Sequence, residues 1–348
     1  MCKEPLSRKQ FDILTYLEGN ENTQTQREIA KACGMSVGSV NRILAQLTEQ
    51  GYIAGGAVTE AGYQALEPYR VKRAVFIAAG FGSRLVPITL NTPKPLVRVN
   101  GTRMIDTLLD AVVAAGIQEI YVVRGYLGEQ FDQLLYKYPM IRFLENPMYN
   151  EANNISSAMC ARHLLQNAYV FEADLVLYNP SLIRKYQYTS NYLGVPVELT
   201  DDWCFETRNQ IITKLKVGGT NCHHVYGISY WNAEDGARLY EDIKHVFEMP
   251  GGKERYWDQV ALEYCLSNYR VEVRNCTFDD IVFGKFLRQT GRQVLYHIVL
   301  HAGIDHHLLL SLPAAGKDQG AQGTDGKDQS RQLHHRNGSH RYYLRSSC

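Results

Sequence analysis

The sequence predicts an α/β protein, with one domain built on a mixed, mostly parallel sheet and a small α-helical domain before it. Three observations predict it. Residues 7–66 carry apolar positions at helical spacing, separated by capping residues. From Arg73 onward short apolar runs alternate with amphipathic stretches. The first of those runs ends in a glycine turn bearing fixed cations. The 348 residues suffice for two domains at roughly 100–200 residues each. The expected boundaries are 1–70, 71–290 and a tail over 291–348.

In the first segment Phe11, Ile13, Leu14 and Leu17 mark the apolar face of a helix. Thr25 and Glu28 form a capping box that opens a second helix through Ile29 and Ala30. Gly34 makes the turn, and Ser36 caps a third helix facing inward with Val37, Val40, Ile43, Leu44 and Leu47. Residues 51–53 and 57–59 fit a short β-wing, followed by a helix from Glu60. This unit resembles a winged helix-turn-helix of bacterial transcription regulators. Its third helix would present Ser36, Ser39, Asn41, Arg42 and Gln46 to a DNA groove. Electrostatics argue less for DNA, because residues 1–70 hold seven basic against eight acidic side chains. A dimerisation module pairing two copies of the chain, or a regulatory module, is the alternative.

The second segment predicts strands at 74–79, 119–123, 141–144 and 168–172, alternating with helices at 104–115, 129–136 and 156–165. Such alternation implies a parallel sheet with ligands at the carboxyl ends of its strands. Beyond Asp174 the text turns antiparallel, with strands at 195–199, 211–217 and 225–231 and a helix at 233–247.

Composition narrows the class. Hydrophobic residues make up 45% and charged residues 21%, which supports a packed core. A net charge of +1 argues against a protein that mainly coats nucleic acid or acidic membrane. No apolar run approaches the roughly 20 residues of a membrane span, and the start does not open a signal peptide. The eight cysteines form no Cys-x-x-Cys pair, so reduced thiols and a cytoplasmic location are expected. Residues 291–348 hold seven of the eleven histidines, but their spacing lacks a metal-binding pattern and disorder is expected there.

The chemistry concentrates in residues 80–101. Gly80 and Gly82 let backbone approach a ligand closely, and the N–H groups of such a turn suit phosphate oxygens. Arg84 offers a forked donor, and Lys94 a compact charge held extended between Pro93 and Pro95. The string Gly80-Phe-Gly-Ser-Arg-Leu-Val-Pro-Ile-Thr with Pro93-Lys-Pro-Leu resembles the signature of the nucleotidyltransferase superfamily. The resemblance implies a Rossmann-like nucleotidyltransferase domain whose turn wraps a nucleoside triphosphate. Asp174 stands where this superfamily places a metal carboxylate, with Asp258 the candidate for a second; magnesium suits two carboxylates plus phosphate oxygens. Glu172, two residues before Asp174, shares its side of the strand.

For the acceptor, Trp203, Trp231 and Trp257 occur with Tyr226, Tyr230, Tyr256 and the acids Asp201, Asp202, Glu206 and Asp258. A quaternary ammonium wants aromatic faces and nearby negative charge. Core packing is the ordinary role of such aromatics, so these residues alone leave the question open. The segments Asn153-Asn154-Ile-Ser-Ser157, Glu172-Ala-Asp174, Ser229-Tyr-Trp231 and Tyr256-Trp-Asp258 resemble the bacterial CTP:phosphocholine cytidylyltransferases over residues 73–282. That resemblance implies transfer of CMP from CTP to phosphocholine. Ala79, Gly80, Gly82, Ser83, Gly125, Asn154 and Ser157 would line the nucleotide site, and Arg84 and Lys94 would hold the triphosphate. Asp174 and Asp258 would hold Mg2+; Trp203, Glu206, Trp231 and Tyr256 would cage the choline. From Phe283 the text departs from the acidic, helix-forming finish of that family. Two alternatives stand beside this reading. One is a sugar-1-phosphate nucleotidyltransferase using UTP or dTTP; the other is a transcription regulator that senses CTP or CDP-choline.

Overall fold

The computed structural model describes residues 5–20 and 24–283. The histidine-rich tail and the divergent text after Phe283 lie outside them. The first helices are α1 Arg8–Glu18, α2 Gln26–Ala32 and α3 Val37–Glu49. The capping box predicted at Thr25 forms with Glu28, and Ser36 Oγ accepts from the Ser39 N–H at 3.2 Å. A wing of β1 Ile53–Ala54 and β2 Ala57–Val58 follows, then α4 Glu60–Leu66. Phe11, Ile13, Leu14, Ile29, Val40, Ile43 and Leu47 bury against one another as the core of this unit.

The larger part runs through β3 Arg73–Ile77, the small hairpin β4 Arg98–Val99 and β5 Thr102–Arg103, α5 Met104–Ala114, β6 Glu119–Arg124 and β7 Ile141–Glu145. It continues through α6 Ile155–Ala161, β8 Ala168–Glu172, β9 Leu175–Leu177, β10 Asn191–Arg208 and β11 Ile211–Trp231. It closes with α7 Ala233–Glu248, α8 Trp257–Gln259, β12 Glu272–Asn275 and β13 Ile281–Phe283. Seven strands make one sheet in the order β10-β12-β11-β8-β3-β6-β7. Neighbours from β8 to β7 are parallel, and β11 joins β8 antiparallel. The near-continuous apolar runs of β3 and β8 follow from burial on both faces. One core holds Phe76, Phe171 and α5; the other holds Val75, Trp231, Trp257 and α7.

Two elements differ from the sequence expectation. The helix predicted at 129–136 is a 3-10 stretch, Gly128–Tyr136, because its buried positions Gly128, Phe131 and Leu134 repeat every three residues. The strands predicted at 211–217 and 225–231 are one strand, β11, paired with an equally long β10. Gly218 at φ +73° and a register shift between Thr200 and Trp203 absorb the irregularity that reads as a turn in sequence.

The helical unit is docked on the sheet domain. Tyr186, from the segment before β10, is buried in the helical core, and Phe11, Tyr69 and Tyr188 pack ring on ring. Arg8 Nη1 donates to Glu272 of β12 at 2.9 and 3.1 Å, and Lys185 pairs with Glu18 at 2.5 Å. Of the residues proposed to face DNA, Asn41 and Arg42 are exposed, whereas Ser39 Oγ is buried and the Ser36 hydroxyl is engaged as the cap. Burial removes Ser39 from a groove-facing role.

Candidate active site

The loop after β3 is built by glycine. Gly82 adopts φ +65°, and a Cβ there would lie 2.8 Å from Lys94 Cβ and 3.1 Å from Thr89 Cγ2. The loop therefore closes on its own Pro-Lys-Pro arm only with glycine at this position. Thr89 Oγ1 donates to the Gly82 carbonyl at 2.9 Å, and the Tyr126 hydroxyl lies 3.0 Å from the carbonyls of Thr89 and Leu90. The backbone at Gly80 borders open space, since a Cβ there would meet nothing within 4 Å. Ser83 is exposed beside it, and the Ala79 carbonyl accepts from the Tyr126 N–H at 3.1 Å.

We expect Gly82→Ala to raise KM for the nucleoside triphosphate that this loop is expected to wrap by about tenfold or more and to lower turnover. The left-handed φ and the overlap with Lys94 both oppose the substitution. Steady-state pyrophosphate release checks this.

The two cations of the loop are placed differently. Arg84 is half-buried, and its guanidinium makes no hydrogen bond or ion pair with any described residue. Lys94 is 6% exposed, and its Nζ is ion-paired with Asp174 Oδ2. That contact joins residues eighty apart in sequence at the carboxyl end of β8. Gly125 follows β6 and packs on Tyr149, where a Cβ would sit 2.6 Å from Tyr149 Cβ. Phe81, Tyr126 and Tyr149 form an aromatic wall with ring centroids 5.1 and 5.4 Å apart. The sequence had not singled out Phe81 or Tyr149 for this role.

The carboxylates gather on the other side. Tyr192 of β10 is fully buried, and its hydroxyl lies within electrostatic reach of Asp258 and Glu172. Desolvation first, then those two charges, push its pKa well above the ordinary tyrosine value. Gly227 of β11 leaves room for Glu172: a Cβ there would lie 2.5 Å from Glu172 Cγ and 2.6 Å from its Cβ. Burial pushes the Asp258 carboxyl up to about 6, while the backbone N–H groups of residues 258 and 259 oppose the shift. Asp174 and Asp258 are hard oxygen donors of the kind magnesium takes when it completes its shell with phosphate and water. Among the described residues no three His, Cys, Asp or Glu side chains cluster as a metal site, so an ion held by these two would complete its shell with substrate oxygens and water.

Comparison with known proteins places this arrangement. A model of the MarR family matches residues 5–60, and one of the nucleotidyl transferases matches residues 73–189. The 2-aminoethylphosphonate cytidylyltransferase of Lancefieldella rimae is 39% identical over 217 residues, which are 60% of this chain and 88% of that protein. The chain belongs to the cytidylyltransferase family. The choline-phosphate cytidylyltransferase of Streptococcus pneumoniae is 32% identical over 54% of this chain and 82% of its own. The solved structure of the CTP:phosphocholine cytidylyltransferase of that organism superposes with a TM-score of 0.60 at 28% identity. It covers 65% of this chain and 99% of its own.

Of the four residues expected to cage an acceptor of this cytidylyltransferase, Trp203 and Tyr256 meet in the structure. Trp203 and Tyr256, both half-buried, meet edge to face at 5.6 Å. Trp231 is fully buried: its Nε1 donates to Ser229 Oγ at 3.0 Å, and its ring abuts Trp257 and Tyr269. It packs core rather than presenting a face. Glu206 pairs with Lys216 at 2.5 Å, and that hydrogen bond holds its carboxyl below the usual range. Asn154 and Ser157, expected at the nucleotide, each make a hydrogen bond within the protein. Asn154 Oδ1 accepts from the Trp257 N–H at 2.9 Å, and the buried Ser157 Oγ accepts from Asn146 at 3.0 Å. Asn153, noticed in sequence only as part of a motif, ties its N–H to the Lys253 carbonyl at 2.7 Å and its side chain to Glu254. No described helix is long and apolar enough to cross a membrane.

Proposed function

We propose that this cytidylyltransferase transfers CMP from CTP to a small acceptor with a phosphorus oxyanion at one end and a cationic head at the other. The observation that carries the reading is the Lys94–Asp174 pair beside a glycine loop with an uncommitted Arg84. Arg84 and Lys94 would grip the triphosphate; an acceptor oxygen attacks the α-phosphorus in line, and its bond to the pyrophosphate oxygen breaks. The acceptor is already anionic at neutral pH, so positioning and charge neutralisation suffice without a protein nucleophile. Magnesium held by Asp174 and Asp258 would supply further neutralisation of the phosphates.

For the head group, the half-buried Trp203–Tyr256 pair supports phosphocholine, since aromatic faces suit a trimethylammonium. The burial of Trp231 and the engagement of Glu206 leave fewer walls than a full cage. That favours, as a second reading, an aminoalkylphosphonate whose primary ammonium bonds to carboxylates such as Glu172. Pyrophosphate release from CTP with phosphocholine, 2-aminoethylphosphonate or glucose 1-phosphate separates these acceptors; turnover confined to the sugar phosphate overturns the proposal. Trp203→Ala is expected to raise KM for the acceptor about tenfold while leaving KM for CTP unchanged, in keeping with about 1–2 kcal/mol for a desolvated cation–π contact.

A DNA-reading role for the helical domain is supported by exposed Asn41 and Arg42 on α3. A mobility shift on the protein's own upstream DNA is expected to weaken in Arg42→Ala; no shift at low salt removes this role.

A further inference from the structure

Where the helical unit meets the sheet, five charged groups from three separate segments converge. Arg8 of α1 bonds Asp12 at 3.2 Å and Glu272 at 2.9 Å, so both local carboxylates are already committed. Two guanidiniums remain. Arg274 of β12 donates Nη2 to the Leu182 carbonyl at 3.1 Å, but its Nη1 is buried and has no acceptor among the described residues. Arg184 uses its backbone N–H on the Tyr169 hydroxyl at 3.0 Å, while its guanidinium makes no hydrogen bond to any described residue. The two heads feel each other: repulsion from Arg274, then desolvation, holds Arg184 below the ordinary arginine range, and Asp12 attracts it more weakly.

Two like charges within electrostatic reach of each other, one with a buried donor that has no acceptor among the described residues, form an arrangement that an anion completes. Paired guanidiniums match the oxygens of a phosphoryl group by forked donation. Nη1 is closed to solvent, so an anion reaches it only when a neighbour turns aside. We propose that Arg184 and Arg274 form a binding site for a phosphoryl oxyanion at the junction of the helical unit and the sheet. The site is separate from the catalytic one. Tyr169 stands near the start of β8 and Asp174 just beyond its end, about 15 Å apart at the usual strand rise.

An anion here would bridge β12 and the segment before β10, beside the helix that carries Arg8. Ligation would therefore tighten the docking of the helical unit, independently of which acceptor the enzyme uses. Isothermal titration of the full chain with sodium phosphate, and separately with CMP, tests this. One site weakened at least tenfold by Arg184→Gln or Arg274→Gln, and retained in Lys94→Ala, is the expected result. Equal affinities would identify free phosphate as the ligand, and tenfold tighter CMP a nucleotide phosphate. Heats unchanged by Arg184→Gln, or abolished by Lys94→Ala, overturn the proposal. If Arg274→Gln fails to fold for want of its bond to Leu182, the exposed Arg184 variant decides alone. Phosphate should also raise the melting temperature of the wild type but not of Arg184→Gln; a purely structural role would shift the melting temperature without this phosphate dependence.

Discussion

Asp174→Asn is expected to cut pyrophosphate release from CTP by about a thousandfold or more and to lower stability by about 2–3 kcal/mol. The catalytic part follows from removing the strand-end carboxylate proposed to act at the triphosphate. The stability part follows from an asymmetry in burial. The Lys94 side chain is 7% exposed and that of Asp174 23% exposed, so losing the carboxylate leaves a nearly buried ammonium unpaired. Breaking a fully buried pair costs about 3–5 kcal/mol, and the partial exposure of Asp174 reduces that figure. Lys94→Met should behave differently. Turnover falls by about a hundredfold or more, but stability changes little, because the carboxylate left behind reaches water. The double variant should regain most of the stability lost by Asp174→Asn. Denaturant melts with single-turnover kinetics check all three; wild-type turnover in either single variant contradicts the proposed site.

Gly252→Ala is expected to lower stability by about 3 kcal/mol and to raise KM for the acceptor. A Cβ at Gly252 would overlap the Val246 carbonyl oxygen and lie 2.7 Å from that of Phe247, both backbone atoms at the end of α7. Backbone cannot turn aside as a side chain can, so the loop must shift. That loop bonds to Asn153 through the carbonyls of Lys253 and Glu254, and Asn154 receives the Trp257 N–H. Displacing it moves Tyr256, Trp257 and Asp258 together. Thermal melts and acceptor KM measure the two effects. A melting temperature like that of the wild type means that the loop relaxes without cost.

Much of the fold was legible because it is written locally. The capping box at Thr25, the Ser36 cap and the apolar runs of β3 and β8 depend on residues within a few positions of one another. The long β10–β11 hairpin was not legible, since the bulge that lets Gly218 continue the strand exists only when a partner strand is in register. Nor could sequence tell Trp203 from Trp231. Both sit among acids and tyrosines, but α8 and Tyr269 close over Trp231 and leave Trp203 partly open.

The loop proposed to hold the triphosphate was legible in the sequence alone, because a glycine turn, an arginine and a proline-held lysine lie within fifteen residues of one another and their chemistry depends on that spacing. Tertiary structure decided what those groups meet. It set Lys94 against Asp174, brought Glu172 and Asp258 within electrostatic reach of Tyr192, committed Glu206 to Lys216, and brought Arg184 within electrostatic reach of Arg274. These are contacts between distant segments, fixed by packing and register, and no local pattern of residues encodes them.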